Sequence, residues 1–359
     1  MVEVNRSILE RKLITISSAP RSNSSFSPLL GQYTGKGTLT FWQDGYMPIW
    51  DSVDVVGEDE FTFSVDPSVF HTIVSGFKSE VVDLKVNSKG SIIIQSGRSK
   101  VTIPFIDGPF DEIPDMPIVE TSCTVGRDFL HALAKSKDFV SKTSENMSLT
   151  YTYIGNRDGK FFITASGAIY QYATTIPFSG EILPELIVPA EYASVALRLF
   201  PTEDVQMGVT DKQHLVMFVN STLISTRTWN EKYPSGMYQA IDMEGEVIFT
   251  ANKRKILESL RLASQTTKEN MIGLSGIQDE LDLYIPNATM EADLIVEDVK
   301  IVNEFPRTYF SLPFLIKCIN IFDEETINVE ILSQGNGAFR IGTGTEEVTV
   351  LQPIQYDAP

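Results

Sequence analysis

Three stretches of the 359-residue chain follow one pattern at the spacing of a whole domain. Residues 65–86 read VDPSVFHTIVSGFKSEVVDLKV, residues 188–209 read VPAEYASVALRLFPTEDVQMGV, and residues 311–331 read SLPFLIKCINIFDEETINVEI. Each places a Pro near the start of an apolar-periodic run and closes that run on a Phe. Each then passes through an acidic or polar turn into an alternating strand. The closing residues Phe77, Phe200 and Phe322 are 123 and 122 residues apart. A period of this length is too long for a solenoid unit and matches a complete domain. The chain reads as three copies of one domain, at 1–118, 119–243 and 244–359. The joints fall at the proline-rich acidic stretch around Pro109, Pro114 and Pro117 and at DMEGE, residues 242–246.

Hydrophobic residues make up 42% of the chain, enough to build cores of this size. There is no run of 18 apolar residues to cross a membrane, and the first residues, MVEVNRSILERKLITISS, lack the apolar centre of a signal peptide. Cys123 and Cys318 fall in different repeats, which suits a reducing cytoplasm without a disulfide framework. A net charge of −18 by itself argues against nucleic acid, whose phosphates need cations.

The distribution of charge points the other way. The apolar periodicity predicts six helices, near 5–16, 66–78, 126–143, 189–201, 251–268 and 311–322. They hold 15 basic and 6 acidic residues, leaving 14 basic and 41 acidic elsewhere. Along 126–143, Phe129, Leu130, Leu133 and Val140 share one side, opposite Arg127, His131, Lys135 and Lys142. Along 251–268, Ile256, Leu257, Leu260 and Ala263 form the apolar stripe, flanked by Arg254, Arg261 and Lys268 at intervals of seven. One such helix is an ordinary solvated face. Two alike in an acidic protein point to a confined positive surface that reads a nucleic-acid backbone without sequence preference.

Catalytic signatures are missing from the sequence. It has no HExxH, no CxxC and no phosphate loop of the GxxxxGK[ST] type. His71, His131 and His214 are far apart and lack companion ligands. Gly35-Lys36-Gly37 and Gly342-Thr343-Gly344 sit among strand signals and read as hairpin turns. Asp107, Asp111, Glu112 and Asp115 resemble a metal cluster, but the prolines among them favour a linker. The expectation is a non-enzyme with no cofactor and no metal.

Four segments carry a family resemblance. Residues 61–114 include FTFSVDPSVFHTIVSGFK and VVDLKVNSKGSIIIQSGRSKVTIPFIDGPFDEIP; residues 223–241 read LISTRTWNEKYPSGMYQAI; residues 305–319 read FPRTYFSLPFLIKCI; residues 348–356 read VTVLQPIQY. Their order, spacing and threefold repeat resemble the bacterial DNA polymerase III beta subunit, the sliding clamp, over nearly the whole chain. The resemblance implies an α+β fold of three clamp domains, each two βαβββ units with outer antiparallel sheets and inner helices. It implies a head-to-tail homodimeric ring around double-stranded DNA, tethering a DNA polymerase for processivity and placed there by a clamp loader.

It also implies three sets of residues. Arg127, Lys135, Lys142, Arg198, Arg254, Arg261 and Lys268 would face DNA. Gly167, Ile169, Tyr170, Pro234, Leu351, Pro353 and Ile354 would form a partner-peptide cleft. Arg98, Lys100, Val101 and Ile103 would meet Thr266 and Thr267 of a second copy. Two departures stand out. Ala168 and Ile169 replace the family's His-Arg pair, and the terminal MPMRL becomes Gln352-Pro353-Ile354-Gln355-Tyr356. A divergent, phage-encoded clamp with a more apolar cleft fits both. The competing reading is a clamp-like decoy that binds polymerase or loader without encircling DNA.

Overall fold

Pro67 and Pro313 lie in the first turns of their helices, where a fixed φ fits and no N–H donor is needed, whereas Pro189 ends the strand that leads into its helix. Before Pro67, Asp66 accepts the backbone N–H groups of Ser68 at 2.7 Å and Val69 at 3.0 Å, a cap worth about 1 kcal/mol. In a computed structural model, the chain is described outside residues 18–26, 107–111, 143–146, 168, 202–203, 235–240, 267–269, 287–292, 334–336, 345 and 356–359.

The element order repeats three times. The first round is β1 (Val2–Asn5), α1 (Arg6–Ser17), β2 (Leu29–Tyr33), β3 (Thr38–Gln43), β4 (Ile49–Gly57), β5 (Phe61–Val65), α2 (Pro67–Gly76), β6 (Val81–Asn87), β7 (Ser91–Ser96) and β8 (Ser99–Pro104). The second is β9 (Val119–Val125), α3 (Arg127–Ser136), β10 (Tyr151–Arg157), β11 (Lys160–Ser166), β12 (Tyr170–Ile176), the short β13 (Ser179–Gly180), β14 (Leu186–Pro189), α4 (Ala190–Leu199), β15 (Val205–Thr210), β16 (His214–Val219) and β17 (Thr222–Arg227). The third is β18 (Gly245–Asn252), α5 (Lys253–Thr266), β19 (Met271–Ile277), β20 (Glu280–Tyr284), β21 (Asp293–Val296), β22 (Val299–Ile301), β23 (Phe305–Ser311), α6 (Leu312–Asn320), β24 (Thr326–Leu332), β25 (Phe339–Gly342) and β26 (Glu347–Leu351). Apart from β13 and β22, each round is two βαβββ units, and the strand pairings are antiparallel.

Contacts divide the chain into two bodies. The first holds residues 1–130, 178–183 and 191–228; the second holds 131–177, 184–190 and 229–359. The first contains one 13-stranded sheet, in which β17 of the second round pairs with β4 of the first through Leu223 opposite Trp50 and Ile224 opposite Ile49. α1 packs with α2, burying Leu9, Leu13, Phe70 and Val74. The second body contains a nine-stranded and a four-stranded sheet, and β26 of the third round pairs with β12 of the second. There α5 and α6 pack together over a core that includes Ile256, Leu260, Leu315, Phe310 and Phe339.

Two sequence expectations change. The helix expected over 126–143 ends at Ser136 and gives way to a 3-10 turn over Lys137–Phe139. Buried Ser136 turns its hydroxyl back to the Leu133 carbonyl at 2.7 Å and lies 2.8 Å from the Thr152 hydroxyl. Phe139 is drawn inward, its ring 5.4 Å from Tyr172 and 5.9 Å from Tyr170. Val140 is then extended, so Lys142 lies outside the helix. Of the three marker phenylalanines, Phe200 and Phe322 are buried, whereas Phe77 is half-exposed. Gly35 and Gly37 have φ of 74° and 80° between β2 and β3, the left-handed backbone that a tight hairpin needs.

Candidate functional site

The basic residues occupy costly positions. α1, α3 and α5, the first helix of each round, open on Arg6, Arg127 and Lys253-Arg254-Lys255. A cation at a helix N-terminus opposes the helix dipole by about 0.3–1 kcal/mol. Packing does not require it: Arg254 is exposed, 3.7 Å from the less exposed Glu258. Within the observed bounds the six helices still hold eleven basic and four acidic residues.

Arg127 and Arg198 are exposed on the first body, and Arg254 and Arg261 on the second, seven residues apart and so on one side of α5. Lys142 is exposed in the segment after α3, and Lys268 lies outside the described residues. Lys135 differs from these. Its side chain is 20% exposed and pairs with Asp323 at 3.0 Å and Glu347 at 3.1 Å. Burial works against its charge, but the two carboxylates prevail and raise its pKa. Glu347 also accepts from the Tyr172 hydroxyl at 2.7 Å. A second helix lysine plays a matching part in the first body, where Lys12 donates to the fully buried Asp51 at 2.6 Å and to Ser221 at 2.7 Å. Each pairing of one round with the next is thus tied by a lysine from a helix.

Of the residues expected to form a cleft, Ile169, Tyr170, Leu351 and Ile354 come together in the second body. Tyr170 lies opposite Leu351, the Gln352 N–H donates to the Ile169 carbonyl at 2.8 Å, and the Ile354 N–H donates to the Tyr309 carbonyl at 2.8 Å. Tyr170 and Leu351 are buried in the core and so form a floor, while Ile169, Pro353 and Ile354 are part-exposed above it. Ala168 and Tyr356 lie outside the described residues. No sequence signal marked α6 as part of this place. Phe314 packs against Tyr170 with ring centroids 4.3 Å apart and the planes tilted by 32°, and the Lys317 ammonium lies 4.9 Å from the Tyr170 ring. Burial depresses the pKa of Lys317, which also donates to the Asp138 carbonyl. Gly167 is obligatory, since a Cβ there would lie 2.2 Å from the Tyr170 ring. Pro234 follows Tyr233, whose ring is 5.2 Å from Tyr153 in a separate cluster with Leu149 and Phe162.

Two of the strands that end their sheets bear on assembly. β8 pairs with β7 and ends its sheet; β21 pairs with β20 and ends the four-stranded sheet. Arg98 and Lys100 are exposed on the first edge, Val101 is half-buried, and Ile103 belongs to the core opposite Ile92. Ile295 on the second edge is exposed, with Glu297 and Asp298 just beyond it. α5 packs against β21, and Thr266 closes that helix with a hydroxyl bond to the Ala263 carbonyl at 2.8 Å. Thr267 lies outside the described residues, as do Asp107 and Asp111 of the acidic linker. Among the described residues no three His, Cys, Asp or Glu side chains converge as metal ligands. Burial pushes both Cys123 and Cys318 up to about 12, so neither is a nucleophile at neutral pH. No described helix is long and apolar enough to cross a membrane.

No protein-family model matches the chain, and no curated protein matches it in sequence. Solved structures do match it. A putative DNA polymerase III beta subunit from Eubacterium rectale superposes with a TM-score of 0.86 at 16% identity, covering 99% of each chain. The DNA polymerase III beta subunit of Pseudomonas aeruginosa gives 0.86 at 14% identity, covering 99% of this chain and all of that one. The Helicobacter pylori beta clamp bound to a DNA ligase peptide gives 0.81 at 18% identity, with 99% and 100% covered. Similarity of this extent at such low identity establishes the architecture: the chain has the fold of the DNA polymerase III beta subunit, the sliding clamp.

Proposed function

We propose that the chain is a DNA sliding clamp, a non-catalytic ring that encircles duplex DNA in the cytoplasm and tethers a polymerase. One observation carries this reading. The closing strand of the second round pairs with β4, and that of the third pairs with β12. The closing strand of the first round, β8, has no such partner among the described residues, and β21, the third-round counterpart of β4 and β12, ends its own sheet. Pairing β8 of one copy with β21 of another repeats the same joint a third time. Such a contact joins unlike surfaces, so it must either close into a ring or run on as a filament. Arg98 and Lys100 on one edge complement Glu297 and Asp298 beside the other. Two copies would supply six repeats, with domains at 1–118, 119–243 and 244–359.

Arg127, Lys142, Arg198, Arg254 and Arg261 would meet phosphates through weak, salt-sensitive contacts that permit sliding. Lys135 contributes less, since two carboxylates already hold it. The groove at Gly167, Ile169, Tyr170, Pro234, Leu351, Pro353 and Ile354 would take a short extended peptide from a polymerase or loader, as the Helicobacter clamp holds a ligase peptide. Ordering such a peptide costs entropy, so an isolated motif should bind at about micromolar strength, roughly −8 kcal/mol.

The experiment is topological. The chain is loaded on nicked circular DNA by a cognate loader and passed over a sizing column in moderate salt. Retention on circles, and loss after linearisation, is the expected result. Loader or polymerase binding without retention on circles would replace the clamp by the decoy.

A further inference from the structure

The second-body groove has a counterpart in the first body that the clamp reading does not use. There the Gln352 N–H donates to Ile169, the residue just before β12; here the Ser225 N–H donates to Pro48, the residue just before β4, at 3.1 Å. Beside this joint lies a cavity of about 490 Å³, between Pro48 and Trp50 of the β4 entrance, the linker residues Asp115–Ile118, and the β15–β16 turn at Thr210–His214. Its floor is fixed. Trp50 is buried with Trp42, Leu30 and Leu223, and its indole N–H donates to the Pro114 carbonyl at 3.0 Å, pinning the linker to the sheet. The linker then presents Met116 and Ile118 to solvent, the latter 82% exposed. Three carboxylates, Asp115, Glu120 and Asp211, rim the cavity against one lysine, Lys212. Burial, with Arg227 and Lys212 nearby, lowers the pKa of His214, so its ring adds no positive charge at neutral pH.

We propose that this cavity is a second peptide-docking groove, and that its occupant is a short extended segment with an apolar side chain for the Pro48–Trp50 floor and Lys or Arg on its flanks for the acidic rim. An apolar floor alone would accept many partners; the rim charge selects the basic one. The inference rests on the internal repeat and the charge of the rim, and it stands whether or not the chain encircles DNA.

The probes are two fluorescein-labelled twelve-residue peptides sharing a central Leu-Phe, one with Lys/Arg flanks and one with Asp/Glu flanks. Anisotropy is measured against the full chain. The basic peptide should bind at micromolar strength and the acidic one at least tenfold more weakly. Glu120→Lys with Asp211→Lys should weaken the basic peptide at least tenfold, as should Ile118→Asp, a change at an exposed position that the fold tolerates. Ile354→Asp should leave it unchanged, because that residue belongs to the other groove. Equal affinity for both peptides would overturn the proposal, as would loss of binding in Ile354→Asp but not in Ile118→Asp. It would also fall if Ile118→Asp altered the sedimentation of the chain, since the face would then belong to a second copy.

Discussion

Lys12 shows how one side chain can hold two rounds together. Its ammonium spans Asp51 on β4 and Ser221 in the turn just before β17, and Asp51 has no exposed surface. Replacing it by Ala strands a buried carboxylate, a change that costs about 3–5 kcal/mol. Lys12→Ala should therefore lose most of its stability in urea, while adding Asp51→Asn should recover part of it; full stability in the single variant would show that the pair carries no load. His214 gives a smaller, pH-dependent effect. Its pKa is lowered in the folded chain, so the unfolded chain binds the proton more readily. The stability it supports is complete above its ordinary pKa near 6.5 and is lost as pH falls through the folded value. The difference in melting temperature between the parent and His214→Asn should widen between pH 7 and pH 5 in favour of the variant. A constant difference across that range would mean that His214 titrates as it does in the unfolded chain.

At the scale of elements, the cations that begin α3 and α5 allow structural and functional roles to be separated by sign. Arg127→Glu and Arg254→Glu exchange an unfavourable helix-end charge for a favourable one, worth about 0.3–1 kcal/mol, a gain that in Arg254→Glu is offset by the like-charge pair it makes with Glu258 one turn on. If these residues meet phosphate, the same changes should cut polymerase processivity and flatten its dependence on salt. A double variant that is both more stable and fully processive would remove them from the DNA-facing surface. The helices themselves were legible in the sequence, because apolar residues at helical spacing, such as Ile256, Leu257, Leu260 and Ala263, face the core as that spacing requires. The end of α3 was not. Val140 continues the apolar stripe of a longer helix, and only the aromatic pocket of Tyr170 and Tyr172, distant in sequence, pulls Phe139 into a turn. The pairing of Lys135 was hidden for the same reason, since Glu347 is more than two hundred residues away. Ile169, Tyr170, Leu351 and Ile354 could be placed together through the resemblance, but Phe314 and Lys317 could not, because only the packing of α6 brings them over Tyr170.

For the whole molecule, the question is whether the unlike edges β8 and β21 close on each other. Each edge offers unpaired backbone groups, and an open edge of this kind risks indefinite association unless its geometry closes. The charges give a handle on the contact, since Arg98 and Lys100 oppose Glu297 and Asp298 only if β8 of one copy lies against β21 of the next. Arg98→Glu with Lys100→Glu should weaken association at least tenfold. Glu297→Lys with Asp298→Lys should do the same, apart from the local loss of the 3.3 Å Lys255–Glu297 pair. Mixed in equal amounts, the two variants should associate again, because each edge of one is then complementary to the unlike edge of the other. In sedimentation, the parent should show one discrete species, the dimer, whose size does not grow with concentration, as closure demands. The mixture should recover association as a closed pair of unlike chains, because one of its joints is charge-swapped and the other is native, and both are complementary. Continuous growth of the parent with concentration would mean a filament and not a ring. A mixture that stays monomeric would mean that the two edges never meet.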